Sequence, residues 1–239
     1  MQEDVEVIEQ LAIASRILVN QGVLDGFGHI TARSQQRPDR YFMPRAMAPG
    51  RVTAADIVEL DLDSHPVSAD SPRTNGERFI HGEIYKARSD VTCVLHSHSP
   101  AILPFSISVD LRLRPVVNLS GFLADPVPLF EFRRLTEINE QFRGKLQANL
   151  PEFGQAIAEE LKNESVILLR GHGNVVCGKT IKWCVYRAIY TDINARAQLQ
   201  AHTLGRNIVA LTADELAMHS VEVFDVDRPW DYWSELVQR

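Results

Sequence analysis

Val5, Ile8, Leu11, Ala12, Ser15 and Leu18 recur at helical spacing near the start of the chain, and the run closes around Asn20 and Gly22. Gly26 and Gly28 follow, where the backbone can turn tightly or approach a ligand closely. Short strands are predicted at His29–Arg33 and Tyr41–Met43, then a proline-rich loop. Thr53 with Asp56 resembles a capping box that opens a single turn. Val58, Leu60 and Leu62 alternate with acids beyond it, as in an edge strand. After a loop over 65–72 the pattern is helical from Asn75 to about Lys86, and Val91 to His98 forms the clearest strand. Pro100 can open a helix through Leu103. Short strands are expected at 116–118 and 127–129, helices at 136–148 and 151–161, and a buried strand at 165–169. Gly171 and Gly173 leave room for the backbone to turn around His172, and the stretch from there to Gly178 is assigned no element. Ile181 to about His202 is the longest periodic helix, a short one is expected after Thr212, and the tail carries Trp230, Tyr232 and Trp233. Strands and helices interleave without a dividing linker, which predicts one α/β domain over 1–239 with an aromatic tail at about 225–239.

Composition narrows the function classes. The 239 residues hold 25 Lys+Arg against 31 Asp+Glu, a formal charge of −6, which disfavours a general nucleic-acid binder. Three cysteines without a C-x-x-C pair suit a reducing cytoplasm better than a disulfide framework. The acidic start and the absence of an apolar run near ~20 residues predict neither a signal peptide nor a membrane span.

Histidines carry the candidate chemistry. In His96-Ser97-His98 the two rings emerge on one face at a strand end, a spacing that lets neutral imidazoles share one divalent metal. His172 stands between two glycines after an apolar strand, and reaches the same rim if that strand joins the same sheet. Glu77 and His81 are one helical turn apart, so Glu77 is a candidate fourth ligand or general acid/base, and His81 a supporting group that orients it. His29 is a candidate contact for an anionic or phenolic group. Taken singly, these features also fit a polar strand end, a loop histidine, a solvated pair and a core histidine. The order is not that of a zincin, because no H-E-x-x-H occurs.

Four stretches make the combination specific: residues 26–33 (GFGHITAR), Glu77 with residues 81–85 (HGEIY), residues 94–100 (VLHSHSP), and residues 168–173 (LLRGHG) followed by Gly178. On these the chain resembles the class II aldolase/adducin N-terminal family over about residues 5–205. The resemblance implies a single α/β/α domain around a predominantly antiparallel sheet, and a homotetramer with sites at subunit boundaries. It further implies metal ligation by His96, His98 and His172, with Glu77 both near the metal and catalytic. Mn²⁺ is the expected ion, with Zn²⁺, Fe²⁺ and Co²⁺ as alternatives. Sugar-phosphate aldolases of the family carry Asn where His29 stands, and small hydroxyl-bearing loops where this chain has Arg45 and Arg73. The altered loops resemble the branch that decarboxylates aromatic hydroxy-acids, which implies a small anionic hydroxyaryl or hydroxypyridine dicarboxylate as substrate. Its carboxylates are expected to meet Arg45, Arg73, Thr74, Asn75 and His29, with Arg33 a weaker option. Phosphorylated-sugar cleavage and a non-catalytic adducin-like interaction domain are the competing readings.

Overall fold

The computed structural model describes residues 2–205, 207–219 and 225–238; the final residue of the expected tail, Arg239, lies outside them. Seven strands form one sheet: β1 (His29–Arg33), β2 (Arg40–Pro44), β3 (Ile57–Asp61), β4 (Cys93–Ser97), β5 (Leu129–Phe130), β6 (Val166–Leu169) and β7 (Gly173–Gly178). Their order is β3-β2-β1-β4-β7-β6-β5, and every pairing is antiparallel except the parallel β5–β6 edge. Helices cover both faces, giving three layers.

Alternation along the strands sorts the core into two halves. Ile30, Ala32, Phe42, Cys93, Leu95 and Val176 face α1 (Gln2–Asn20), α3 (Leu103–Ile107), α6 (Ile181–Leu204) and α8 (Asp227–Val237). Tyr41, Met43, Val94, Ile167, Val175 and Cys177 face α2 (Arg78–Ala87) and α5 (Pro151–Leu161). Histidines 29 and 96 continue the second face, so the candidate chemistry lies on the α2 side. The turn before β3 carries the expected box, with Thr53 N–H and Oγ1–H both donating to Asp56.

Several expected boundaries shift. The span 173–178, unassigned from sequence, is central strand β7, hydrogen-bonded to both β4 and β6; its two terminal glycines bracket a fully buried run. No strand forms at 116–118, because Asn194 Oδ1 accepts from the N–H groups of Val116 and Val117, at 2.8 and 3.3 Å, in place of a sheet partner. At 127–129 only Leu129 joins a strand; Val127 N–H donates to Leu113 O and Pro128 has no N–H. The expected helix over 136–148 is α4 (Arg133–Ile138) plus a 3₁₀ turn at Glu140–Phe142. Asn139 stops it by turning extended and accepting from Gln141 N–H. The tail is helical: α7 (Ala213–His219) precedes α8, whose Trp230 and Trp233 are buried in the chain's own core rather than open to a neighbour. No helix among the described residues is long and apolar enough to cross a membrane.

Candidate metal centre

Sheet register assembles the centre. His29 of β1 pairs directly with His96 of β4, and Ser97 of β4 pairs with Asn174 of β7. The β6–β7 turn begins at Leu169, whose carbonyl accepts from His172 N–H at 3.0 Å, and so delivers His172 beside the end of β4. Gly173 permits the approach: a Cβ there would fall 2.0 Å from Ser97 O. From the layer above, Asn75 Oδ1 accepts from Glu77 N–H at 2.9 Å, so α2 begins at Arg78 and Glu77 stands just before it. Its carboxylate therefore turns to the histidines.

The resulting cluster is tight. Ligand atoms of Glu77, His96, His98 and His172 all lie within 4.8 Å of one another. His96 Nε2 is 3.1 Å from His98 Nε2 and 3.4 Å from Glu77 Oε2, while His172 Nε2 is 3.2 Å from Glu77 Oε1. His96 Nδ1–H donates to Asn174 O at 3.0 Å, which directs Nε2 inward. Ser97 Oγ donates to Asn174 Oδ1 at 2.6 Å, and Ser99 Oγ to Asp192 at 2.5 Å, which ties down the chain on either side of His98.

Electrostatics keep this set ready for a cation. Burial, reinforced by the neighbouring His96, lowers His172 to about 4 and also lowers His98, so both rings stay neutral. Burial pushes the Glu77 carboxyl up, but its interactions with the His96, His172 and His29 rings outweigh this and hold the acid well below its usual range. Three imidazoles and a carboxylate therefore converge, each with a ligand atom in the cluster. That donor set fits a borderline divalent metal.

The other expected residues are placed as follows. His29 is buried beside the cluster, its Nε2 4.0 Å from Glu77 Oε2. His81 does not touch Glu77, contrary to its expected role of orienting that carboxylate; it lies 2.7 Å from His29 Nδ1. Burying α2 against β1 turns the ring inward to the sheet. The loops of Arg45 and Arg73 are joined by an Ala46 N–H to Arg73 O bond of 2.8 Å. Arg45 Nε, however, already donates to Asp56 at 2.8 Å, whereas the Arg73 side chain is exposed. Thr74 is half-buried, and Asn75 is occupied in setting the start of α2. Arg33 is structural: its guanidinium donates to the carbonyls of Pro38, Tyr85, Arg88 and Val91 at the far end of β1. Sequence reasoning misses Asn174, whose strand it does not assign, and Thr31, which the His29-x-Thr31 alternation places on the same face.

The pattern of the Class II Aldolase and Adducin N-terminal domain matches residues 9–199. The chain belongs to the class II aldolase and adducin N-terminal family. Within that family it is 40% identical over 196 residues to "Decarboxylase tropJ" of Talaromyces stipitatus, covering 79% of this chain and 73% of that protein. It is 27% identical over 222 residues to the "3,4-dihydroxyphthalate decarboxylase" of Arthrobacter keyseri, covering 87% and 84%. Among solved structures, L-fuculose 1-phosphate aldolase from Glaciozyma antarctica PI12 superposes with a TM-score of 0.77 at 22% identity, covering 98% of this chain and 89% of that one, a likeness of fold. The chain is thus a class II aldolase-fold enzyme, related by sequence to decarboxylases and sharing its fold with a sugar-phosphate aldolase, and it carries a candidate metal centre.

Proposed function

We propose that the protein is a divalent-metal-dependent decarboxylase of hydroxyaryl or hydroxypyridine carboxylates. The observation that carries this reading is the convergence of His96, His98, His172 and Glu77 on one point in a chain whose relatives include decarboxylases. The three histidines would hold the metal, with Mn²⁺ the first candidate and Zn²⁺, Fe²⁺ or Co²⁺ the alternatives. When bound, it supplies positive charge beside a ring oxygen and an adjacent carboxylate, an electron sink for carbon–carbon cleavage.

The chain's own residues account for the proton. The Glu77 carboxyl is held below its usual range, so it enters as a base and takes the hydrogen of the substrate's ring hydroxyl. The resulting oxyanion pushes electrons into the ring, and the carbon bearing the leaving carboxylate receives that hydrogen from Glu77. The C–C bond then breaks, its electron pair restores the aromatic ring, and CO₂ departs. One proton moves out and back, and no oxidant or reductant is required. Arg73, exposed at the joined loops, is available for a second carboxylate, and Arg45, whose Nε donates to Asp56, is the other candidate.

A dicarboxylate such as 3-hydroxy-2-methylpyridine-4,5-dicarboxylate fits this arrangement, as does a dihydroxyphthalate. The working unit in this reading is a cytoplasmic homotetramer with sites at subunit boundaries. The test is metal-free protein reconstituted separately with each ion and offered both ring types while CO₂ is measured. Metal-dependent CO₂ release is expected. Metal-dependent cleavage of a phosphorylated sugar without CO₂ would replace this reading with an aldolase, and capture of a partner protein without metal would replace it with an interaction domain.

A further inference from the structure

Two large apolar side chains, outside both halves of the core, stand in solvent beside the candidate ligands. Phe27 is 71% exposed, and its ring centroid lies 6.5 Å from that of His98. Ile107, the last residue of α3, is 64% exposed, and its Cγ2 lies 3.8 Å from where a Cβ on Gly171 would stand, next to His172. A lone exposed apolar residue needs no explanation. Here two come from separate elements and flank different ligands, whose own rings are 4.9 Å apart.

The chain fixes both positions. Phe27 N–H donates to Asp25 Oδ1 at 2.8 Å, which closes the turn that carries the ring. Gly28 follows at φ +85°, and a Cβ on it would fall 2.5 Å from Leu24 Cδ2 and 2.9 Å from His96 O. The turn is therefore pressed against the ligand-bearing end of β4. On the other flank Ser106 Oγ donates to Leu103 O at 2.8 Å and accepts from Gly171 N–H at 3.2 Å. That buried hydroxyl ties the end of α3, with Ile107, to the turn that holds His172. Apolar surface presented to water beside convergent polar atoms is the composition of a small-molecule site, in which the polar groups orient the ligand and apolar walls hold it.

We infer that Phe27 and Ile107 form an apolar clamp for the aromatic ring of the substrate, and so select an aryl acid over an aliphatic or polyhydroxylated one. The ring is planar, and once its oxygen substituents are held at the ligand cluster its carbon skeleton lies against what flanks that cluster. Phe27 supplies an aromatic face and Ile107 a branched aliphatic one, and both gain by covering a ring. A sugar's hydroxyls would lose water there and find no hydrogen-bond partner on either side chain. Both are specificity residues, and neither moves a proton. That the ring belongs to an acid that loses CO₂ rests on the proposed function; the clamp itself does not.

Acetohydroxamate and benzohydroxamate test it, because they chelate a metal through the same two oxygens and differ only in methyl against phenyl. Affinities are measured by calorimetry on the Zn²⁺-loaded protein. Wild type should prefer benzohydroxamate. Phe27→Ala should weaken benzohydroxamate about 10-fold and Ile107→Ala about 3-fold, while acetohydroxamate stays within about 2-fold in both. Phe27→Tyr should restore the preference. Metal per chain and the urea midpoint should match wild type, since both side chains are exposed. Equal wild-type affinity for the two hydroxamates, equal losses of both in the variants, or loss of metal from F27A would overturn the inference. So would an F27A protein of altered oligomeric mass with benzohydroxamate affinity intact, which would assign the exposed side chains to a contact between copies of the chain. With a hydroxyaryl acid that turns over, F27A should raise KM more than it lowers kcat. A wild type that releases no CO₂ from any hydroxyaryl acid would sink the proposed function and leave the clamp to be judged by the hydroxamate ratio.

Discussion

Gly173→Ala puts the assembly of the centre to a direct test. The new Cβ would stand 2.0 Å from Ser97 O, 3.0 Å from Ser97 C and 3.2 Å from His98 Cα, all backbone atoms that no rotamer change can move. Restoring van der Waals contact requires β4 and β7 to part by roughly 1 Å or more at this point. Ser97 lies between two of the candidate ligands and Gly173 follows the third, so the opening is transmitted to all three imidazoles. Metal sites tolerate ligand distances within about ±0.2 Å, which this displacement exceeds several-fold. Overpacking should cost about 1–3 kcal/mol of folding stability, and metal affinity should fall at least 10- to 100-fold. Titration with Mn²⁺ or Zn²⁺, paired with urea unfolding of the metal-free protein, reads both quantities. Gly26→Ala is the control: a Cβ there meets nothing within 4 Å, so neither quantity should move. A G173A protein with wild-type affinity and an unshifted unfolding midpoint would refute the argument.

Other substitutions separate ligation from proton transfer. His96→Ala should strip most bound metal and activity together, measured as metal per chain after desalting; stoichiometric tight metal in that variant would remove His96 from the ligand set. Glu77→Gln should leave the unfolding midpoint within about 1 kcal/mol of wild type while turnover falls at least about 100-fold, because an amide cannot take and return the hydrogen; near-normal turnover would exclude that role. The metal-free protein should lose stability as pH falls from about 6.5 toward 4. Burial holds His29 at about 3 and His172 at about 4 in the fold against an ordinary value of 6.5, so the unfolded chain binds protons first; urea midpoints flat across that window would contradict it.

Much of the centre was legible because its elements are short and local. His96 and His98 could be placed on one face from strand alternation alone, and β1 and α5 appear with the expected bounds. What the sequence did not reveal depends on long-range partners. β7 goes unassigned because glycines bracket it, yet Gly173 and Gly178 lie where neighbouring backbone leaves no room for a Cβ. The extended stretch at Val116 joins no strand because Asn194, 78 residues away, takes its N–H. His81 sits one turn after Glu77 in sequence, but Asn75 delays the helix start, and packing of α2 on β1 hands the ring to His29 instead.

Missing β7 mattered most, since that strand explains why the histidines meet at all. An antiparallel β4–β7 pair runs the end of β4 alongside the start of β7, so residues 96–98 and 172–174 are neighbours by register. The same pairing puts the Asn174 carbonyl within reach of His96 Nδ1, and one backbone group thereby sets the tautomer of a ligand on the adjacent strand. On the other side β1 pairs His29 with His96, and its alternation carries Thr31 to α2. Two of the rings have their outer nitrogen engaged by the sheet or by the helix above it: His96 by β7, His29 by α2. The inner nitrogens and the Glu77 carboxylate are left facing one another, a set of ligand atoms that a shared cation would hold together. A scaffold that spends its hydrogen bonds on the backs of these rings is organised around whatever occupies their fronts.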